Sequence, residues 1–261
     1  MKQRYAMAKQ WILEMGDYLK EAARLPFSFS QKTSHHDIVT AYDREVEKYF
    51  HRNIHNFFPE DDIVGEEFGC QIRQGSGIKW YIDPIDGTTN FVNFRKNFAV
   101  SVGCYENDIP QFALVLDVIG EDLYQAFLGE GAYKNGKQLK NQDAPEDFSQ
   151  MILSTSNVQD TFWRGYPWQD AMRELADQVR AVRCLGSVAL ELCSVSEGNA
   201  DIFIAIRSSP WDHNAARLIL QESGCVISRL GQNCLPADES GFVIACRKES
   251  VYKRLKELYQ L

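Results

Sequence analysis

No apolar run in this 261-residue chain is long enough to cross a bilayer, which argues against a membrane-spanning protein. The first residues, Met1-Lys2-Gln3-Arg4, lead into an amphipathic pattern and offer no apolar signal core. A basic excess is missing too: 28 lysines and arginines face 36 aspartates and glutamates, for a net charge of −8. A nucleic-acid polymer or an anionic membrane needs a basic face, so neither is expected as the main partner. A small phosphorylated substrate stays open, because bound cations reverse a local field. The seven cysteines contain no Cys-x-x-Cys pair, and most lie in apolar runs. They read as buried thiols of a reducing compartment, and the expected location is cytoplasmic. Neither G-x-G-x-x-G nor G-x-x-x-x-G-K-[ST] occurs, which leaves a Rossmann or P-loop nucleotide site unsupported. Internal repeats and low-complexity segments are absent as well.

What is present is ordinary globular material, 44% hydrophobic and 25% charged, with chain enough for one large domain or two small ones. Ala8, Ile12, Met15, Leu19 and Ala22 recur at helical spacing, with Pro26 just past the expected end. Thr40-Ala41-Tyr42-Asp43 matches a capping box, and Val46, Phe50, Ile54 and Phe57 continue its helix. Short β-prone runs follow at Ile63-Val64, Ile78 to Ile82, Val100 to Tyr105, Phe112 to Leu116 and Leu123 to Phe127. Asn135-Gly136 marks a hairpin. The polar stretch Asn141 to Gln150 suggests a division into an N-terminal α+β half, residues 1–150, and a C-terminal α/β half, residues 151–261. In the second half strands and helices alternate. Helices are expected over Trp168–Val179, Ser187–Glu197, Asn214–Ser223 and Val251–Leu258. The pattern is that of an α/β or α+β protein with layered sheets.

One stretch carries most of the chemical information: Trp80-Tyr81-Ile82-Asp83-Pro84-Ile85-Asp86-Gly87-Thr88-Thr89-Asn90-Phe91. Two carboxylates flank a Pro-Ile step where a strand ends, followed by a glycine and two hydroxyls. Hard divalent cations want oxygen ligands, and this segment supplies carboxylates, a backbone carbonyl and a threonine hydroxyl. The Gly-Thr-Thr turn adds backbone N–H groups suited to an anion. Asp83 and Asp86 could converge if the chain leaves extended geometry between them. Gly65-Glu66-Glu67 and Trp211-Asp212 are candidates to join them. Adjacent acids raise one another's pKa unless a cation neutralises them. On local sequence alone Asp212 reads as a helix cap, and Asp43 reads equally as a cap partner and as a carboxylate that polarises a hydroxyl or water. Gly186-Ser187 precedes a helix, whose N-terminus could hold a phosphate or a sugar hydroxyl or could be a plain cap. His51 and His55, spaced i, i+4, read as a solvated helix face.

Together these segments, with Asp37-Ile38-Val39-Thr40-Ala41-Tyr42-Asp43 upstream and Gly186-Ser187-Val188-Ala189-Leu190 through Gly198-Asn199-Ala200-Asp201 downstream, resemble the inositol monophosphatase family over nearly the whole chain. The resemblance implies a layered αβαβα sugar-phosphatase fold and a lithium-sensitive, Mg2+-dependent phosphoric monoester hydrolase, usually a homodimer. Carried over residue by residue, Glu66, Asp83, the carbonyl of Ile85, Asp86 and Asp212 match metal ligands for two or three Mg2+ ions. Glu66, Thr88 and Asp43 match the catalytic groups that activate the attacking water. Asp86, Gly87, Thr88, Gly186, Ser187, Val188 and Asp212 match substrate-binding positions. Ala205 stands where inositol-selective members carry a glutamate, and Val188 replaces a smaller residue. The expected activity is therefore inositol-1-phosphatase-like hydrolysis of a small phosphorylated sugar or polyol by metal-activated water. An NADP(H), fructose 1,6-bisphosphate or 3'-phosphonucleotide phosphatase is the alternative, ahead of a non-catalytic metal-binding regulatory protein.

Overall fold

A computed structural model describes residues 1–26, 28–31, 38–72, 77–141, 143–166, 168–229 and 235–258. Helix α1 (Lys2–Ala22) leads through the antiparallel pair β1 (Phe29–Gln31) and β2 (Ile38–Thr40) to α2 (Ala41–Phe57). Then come β3 (Asp62–Gly65), β4 (Gly69–Gln71), β5 (Ile78–Asp86) and the short helix α3 (Thr88–Asn93). Strands β6 (Ala99–Glu106), β7 (Ile109–Asp117), β8 (Asp122–Phe127), β9 (Gly131–Lys134) and β10 (Lys137–Leu139) complete an eight-stranded sheet of order β10-β9-β8-β7-β6-β5-β3-β4. The chain passes to a second sheet between Leu139 and Ile152. There β11 (Ile152–Thr155), α4 (Val158–Phe162), α5 (Gln169–Gln178), β12 (Ala181–Arg183), α6 (Val188–Glu197) and β13 (Ile202–Ser208) precede α7 (Pro210–Ser223). Strands β14 (Val226–Arg229) and β15 (Gly241–Cys246) and helix α8 (Glu249–Leu258) close the chain, with sheet order β12-β11-β13-β15-β14.

Side-chain alternation stacks these elements into five layers. Successive strand residues face opposite sides. Trp80 and Ile82 of β5 and Val100 and Val102 of β6 therefore meet Ile12 and Leu19 of α1 and Val46 and Phe50 of α2. The opposite face, with Ala113, Val115 and Tyr124, packs on Leu192 and Val195 of α6 and Ala215 and Ile219 of α7. Those two helices also cover Phe203, Ala205, Val243 and Ala245 of the second sheet. The outer face of that sheet buries Ile202, Ile204 and Ile244 against Met172 and Leu175 of α5 and Val251 and Leu255 of α8. The order is helix, sheet, helix, sheet, helix, as the αβαβα expectation had it.

Most expected elements are found, and the differences have local causes. The capping box at Thr40 forms, with the Thr40 N–H donating to Asp43 Oδ2 at 2.8 Å. Helix α7 begins one turn before the expected Asn214, because Pro210 sits in its first turn and the preceding Ser209 takes the cap position. Asp212 is thus the third helical residue and not the cap. Helices α3 and α4 were not expected; at six and five residues they carry too few apolar positions to show a period. Among the six described cysteines, Cys104, Cys193, Cys225 and Cys246 are buried and Cys70 and Cys184 are exposed, all as free thiols. No helix among the described residues is long and apolar enough to cross a membrane.

Candidate active site

Strand pairing brings the first acids together. β3 and β5 run parallel with Gly65 opposite Ile82, so Glu66 and Asp83 emerge at the same end of neighbouring strands. In a regular strand, residues three apart face opposite sides. Between Asp83 and Asp86 the register against β6 slips, with Asp83 opposite Ser101 and Asp86 opposite Ala99. Three steps on β5 thus match two on β6. This bulge at Pro84-Ile85 turns Asp86 to the side that Asp83 occupies. The Ile85 N–H donates to Asp83 Oδ1 at 3.0 Å and fixes the bend.

The second half of the chain contributes two helix N-termini. Ser187 caps α6. Its hydroxyl, with the N–H groups of Val188 (3.1 Å) and Ala189 (2.7 Å), donates to the Asp86 carboxylate. The positive end of α6 is therefore engaged by a side chain of the protein itself. Helix α7 delivers Asp212, whose Oδ2 accepts the Ser209 N–H at 2.7 Å. Polar residues of β6 hold this helix in place. The Tyr105 hydroxyl donates to the Asn214 carbonyl at 2.9 Å, and Ala215 and Ala216, fully buried, let the backbone approach.

Thr88 and Asp43 form the remaining cluster. Asp43 divides its oxygens: Oδ2 accepts from the Thr40 backbone and hydroxyl, and Oδ1 lies 3.1 Å from the Thr88 hydroxyl. One carboxylate thus serves the cap and also meets the Thr88 hydroxyl. The Thr88 hydroxyl is also 3.1 Å from the Ile85 carbonyl. Gly87 caps α3 at φ 96°, and a Cβ there would stand 3.1 Å from the Gly186 carbonyl and 3.2 Å from that of Asn97. Only glycine fits that corner without strain. Leading N–H groups of a helix lack intrahelical acceptors, which suits this turn to an anion.

Electrostatics ties the acids together. Burial, then the charges of Glu66, Asp86, Asp212 and Asp43, push Asp83 well above the usual aspartate range. Asp212 is raised likewise, by burial first and then by Asp86 and Glu66. Burial lifts Asp86 to about 6 against the opposing hydrogen bonds from α6. Buried carboxylates that repel one another need a cation to stay ionised. The donors are all oxygens, the chemistry of a hard dication such as Mg2+. As they stand, no three His, Cys, Asp or Glu side chains among the described residues close into a metal cage. The oxygen donor set fits the chemistry of the ion.

Three further residues hold the site together, Asn90 of the central motif among them. Asn90 Nδ2 donates to the carbonyls of Leu185 (2.5 Å) and Asn97 (2.8 Å) and stitches α3 to the α6 loop. Glu47 and Glu191 are fully buried acids beneath the turns that bear Glu66 and Ser187. A signal existed for Glu47, since it falls with Asp43, Val46, Phe50 and Ile54 on the inward stripe of α2. His51 corrects an expectation: it is turned inward, its Nε2 3.3 Å from Glu47 Oε1, whereas His55 is exposed. His213 is buried and held neutral, its pKa lowered by burial to about 3, with Nδ1 2.9 Å from the Ser208 hydroxyl. Asp37 lies outside the described residues.

Comparison with known proteins places the chain in a family and a fold. A model of the inositol monophosphatase family matches residues 1–260. The inositol-1-monophosphatase of Bacillus subtilis is 36% identical over 257 residues, covering 97% of this chain and 95% of that protein. The fructose-1,6-bisphosphatase/inositol-1-monophosphatase of Aquifex aeolicus is 31% identical over 242 residues, covering 89% and 88%. The crystal structure of SaIMPase-II bound to inositol monophosphate superposes with a TM-score of 0.84 at 28% identity, over 98% of this chain and 93% of that one.

Proposed function

The chain belongs to the inositol monophosphatase family and is a phosphoric monoester hydrolase, and we propose that it acts with Mg2+ on a small phosphorylated polyol or sugar, inositol 1-phosphate being the type. The observation that carries this reading is the bulge at Pro84-Ile85, which turns Asp86 to the side of Asp83, where the charges of Glu66 and Asp212 also reach. Glu66, Asp83, the Ile85 carbonyl, Asp86 and Asp212 would hold the metal. Bound Mg2+ supplies charge neutralisation for the phosphoryl group and a lowered pKa for water. The chain's own groups do the rest. Thr88, donating its proton to Asp43 Oδ1, turns an oxygen lone pair toward a water and aligns it behind phosphorus. Glu66 accepts the proton that the water loses, and a second water protonates the leaving alkoxide. The N–H groups after Gly87 hold phosphoryl oxygens. Gly186, Ser187 and Val188 line the alcohol side, where α6 also fixes Asp86. Rate acceleration then comes from positioning and charge compensation.

A second substrate class has its own support. Ala205 is fully buried and offers no carboxylate to a ring of hydroxyls, and the Aquifex aeolicus relative is named for fructose 1,6-bisphosphate as well. A cytoplasmic location accords with the free thiols of the six described cysteines, and a homodimer is what the family resemblance implies. Phosphate release from a panel of inositol, sugar, NADP and 3'-phosphonucleotide esters, with and without Mg2+, tests the reading. Asp83→Asn should abolish Mg2+-dependent release while the fold survives, since the amide oxygen still accepts the Ile85 N–H. Near-normal turnover by that variant refutes the assignment.

A further inference from the structure

Glu47 lies one helical turn beyond Asp43 on the buried face of α2 and is fully inaccessible to solvent. A buried carboxylate is costly unless it is hydrogen-bonded. Here the partners come from one turn. Oε2 accepts the Glu67 N–H at 2.7 Å and Oε1 accepts the Phe68 N–H at 3.0 Å. His51 closes the pocket, with Nε2 3.3 Å from Oε1 and its ring edge-on to Phe68 at 5.5 Å. Gly65 opens the turn, and a Cβ there would lie 2.2 Å from Glu47 Oε1. The carboxylate fills the hollow of residues 65–68, and Glu66 of the same turn is half-buried, its charge reaching Asp83.

We infer that Glu47 is the positioning residue of the metal site: by gripping the backbone on the far side of Glu66, it fixes the direction in which that carboxylate is presented. Helix α2 thus serves the site twice, through Asp43 to Thr88 and, four residues on, through Glu47 to the Glu66 turn. The inference rests on the reading of Glu66 as a Mg2+ ligand. Charge-assisted bonds to backbone N–H groups are strong and directional. Removing such outer partners of metal ligands costs on the order of 10–100-fold in metal affinity.

Glu47→Gln replaces one acceptor oxygen by an amide NH2 that faces a backbone N–H. The full-length variant should bind Mg2+ by calorimetry about 10-fold or more weaker than wild type. Its turnover at low Mg2+ should fall and recover in excess Mg2+, with KM for the ester unchanged at saturating metal. A variant with wild-type Mg2+ affinity overturns the inference, whatever its melting temperature. Should wild type hydrolyse no ester, the phosphatase reading fails while calorimetry still decides the role of Glu47. If the variant does not fold, hydrogen exchange on metal-free wild type replaces it. The Glu67 and Phe68 amides should then be protected, and exchange at the unprotected rate overturns the claim.

Discussion

Glu191→Gln probes how the loop behind Asp86 is held. Glu191 is fully buried on α6, and its Oε1 accepts the Leu185 N–H and the Ser154 hydroxyl, each at 2.9 Å. Its Oε2 meets no hydrogen-bond partner among the described residues. Burial raises the carboxyl from 4.5 to about 8. The acid is therefore neutral in the fold over a range where the unfolded chain ionises it. A folded pKa above the unfolded one gives stabilisation that is complete below pH 4.5 and is lost as pH rises toward 8. Between pH 5 and pH 7.5 that loss amounts to about 3 kcal/mol. Glutamine keeps the Oε1 acceptor and has no proton to lose. Relative to the variant, wild type should lose about 6–12 °C of melting temperature over this interval. Thermal unfolding by circular dichroism at saturating Mg2+ measures it, and every other acid cancels in the comparison. Parallel melting curves for the two proteins across pH would refute the argument that Glu191 is buried and protonated.

Thr88→Val conserves shape and removes the hydroxyl that meets Asp43 and that we propose orients the attacking water. Single-turnover phosphate release should slow by about 10²–10⁴-fold with Mg2+ affinity retained; an unchanged rate would remove Thr88 from the chemistry. Gly87→Ala forces a side chain into a left-handed corner against two carbonyls, and should cost about 2–3 kcal/mol in urea unfolding. A neutral outcome would mean that the corner is not fixed. In the Glu191→Gln background, chelated protein should gain stability as pH falls from 7.5 to 5. Asp86, raised to about 6, and the still more raised Asp83 and Asp212 take up protons in the fold first. Adding Mg2+ should flatten that slope, and a stability that instead climbs with pH would contradict the repelling cluster.

Local signals were legible wherever the cause was local. The Thr40–Asp43 box, the Asn135-Gly136 turn and the Ser187 cap each depend on residues within four positions, and each forms. Helix α7 starts at Pro210 and not at Asn214, because Ser209-Pro210 supplies the cap and the first turn ahead of Asp212. The acids around Asp83 were legible as a long motif. The roles of Glu47, Asn90 and Glu191 were not, because each also reaches a distant segment: Glu67 lies 20 residues from Glu47, Leu185 lies 95 from Asn90 and Ser154 lies 37 from Glu191.

The order of strands and helices, the oxygen-rich motif, the acidic charge and the lack of a long apolar run followed from the amino-acid sequence, since side-chain period, turn chemistry and charge act over a few residues. Convergence was settled elsewhere. Parallel pairing of β3 with β5 set Glu66 beside Asp83, a one-residue bulge turned Asp86 to join them, and the packing of α6 and α7 between two sheets brought Ser187 and Asp212 across from the other half. Those are long-range pairings, selected by the burial of whole faces, and no short window of sequence contains the partners that decide them.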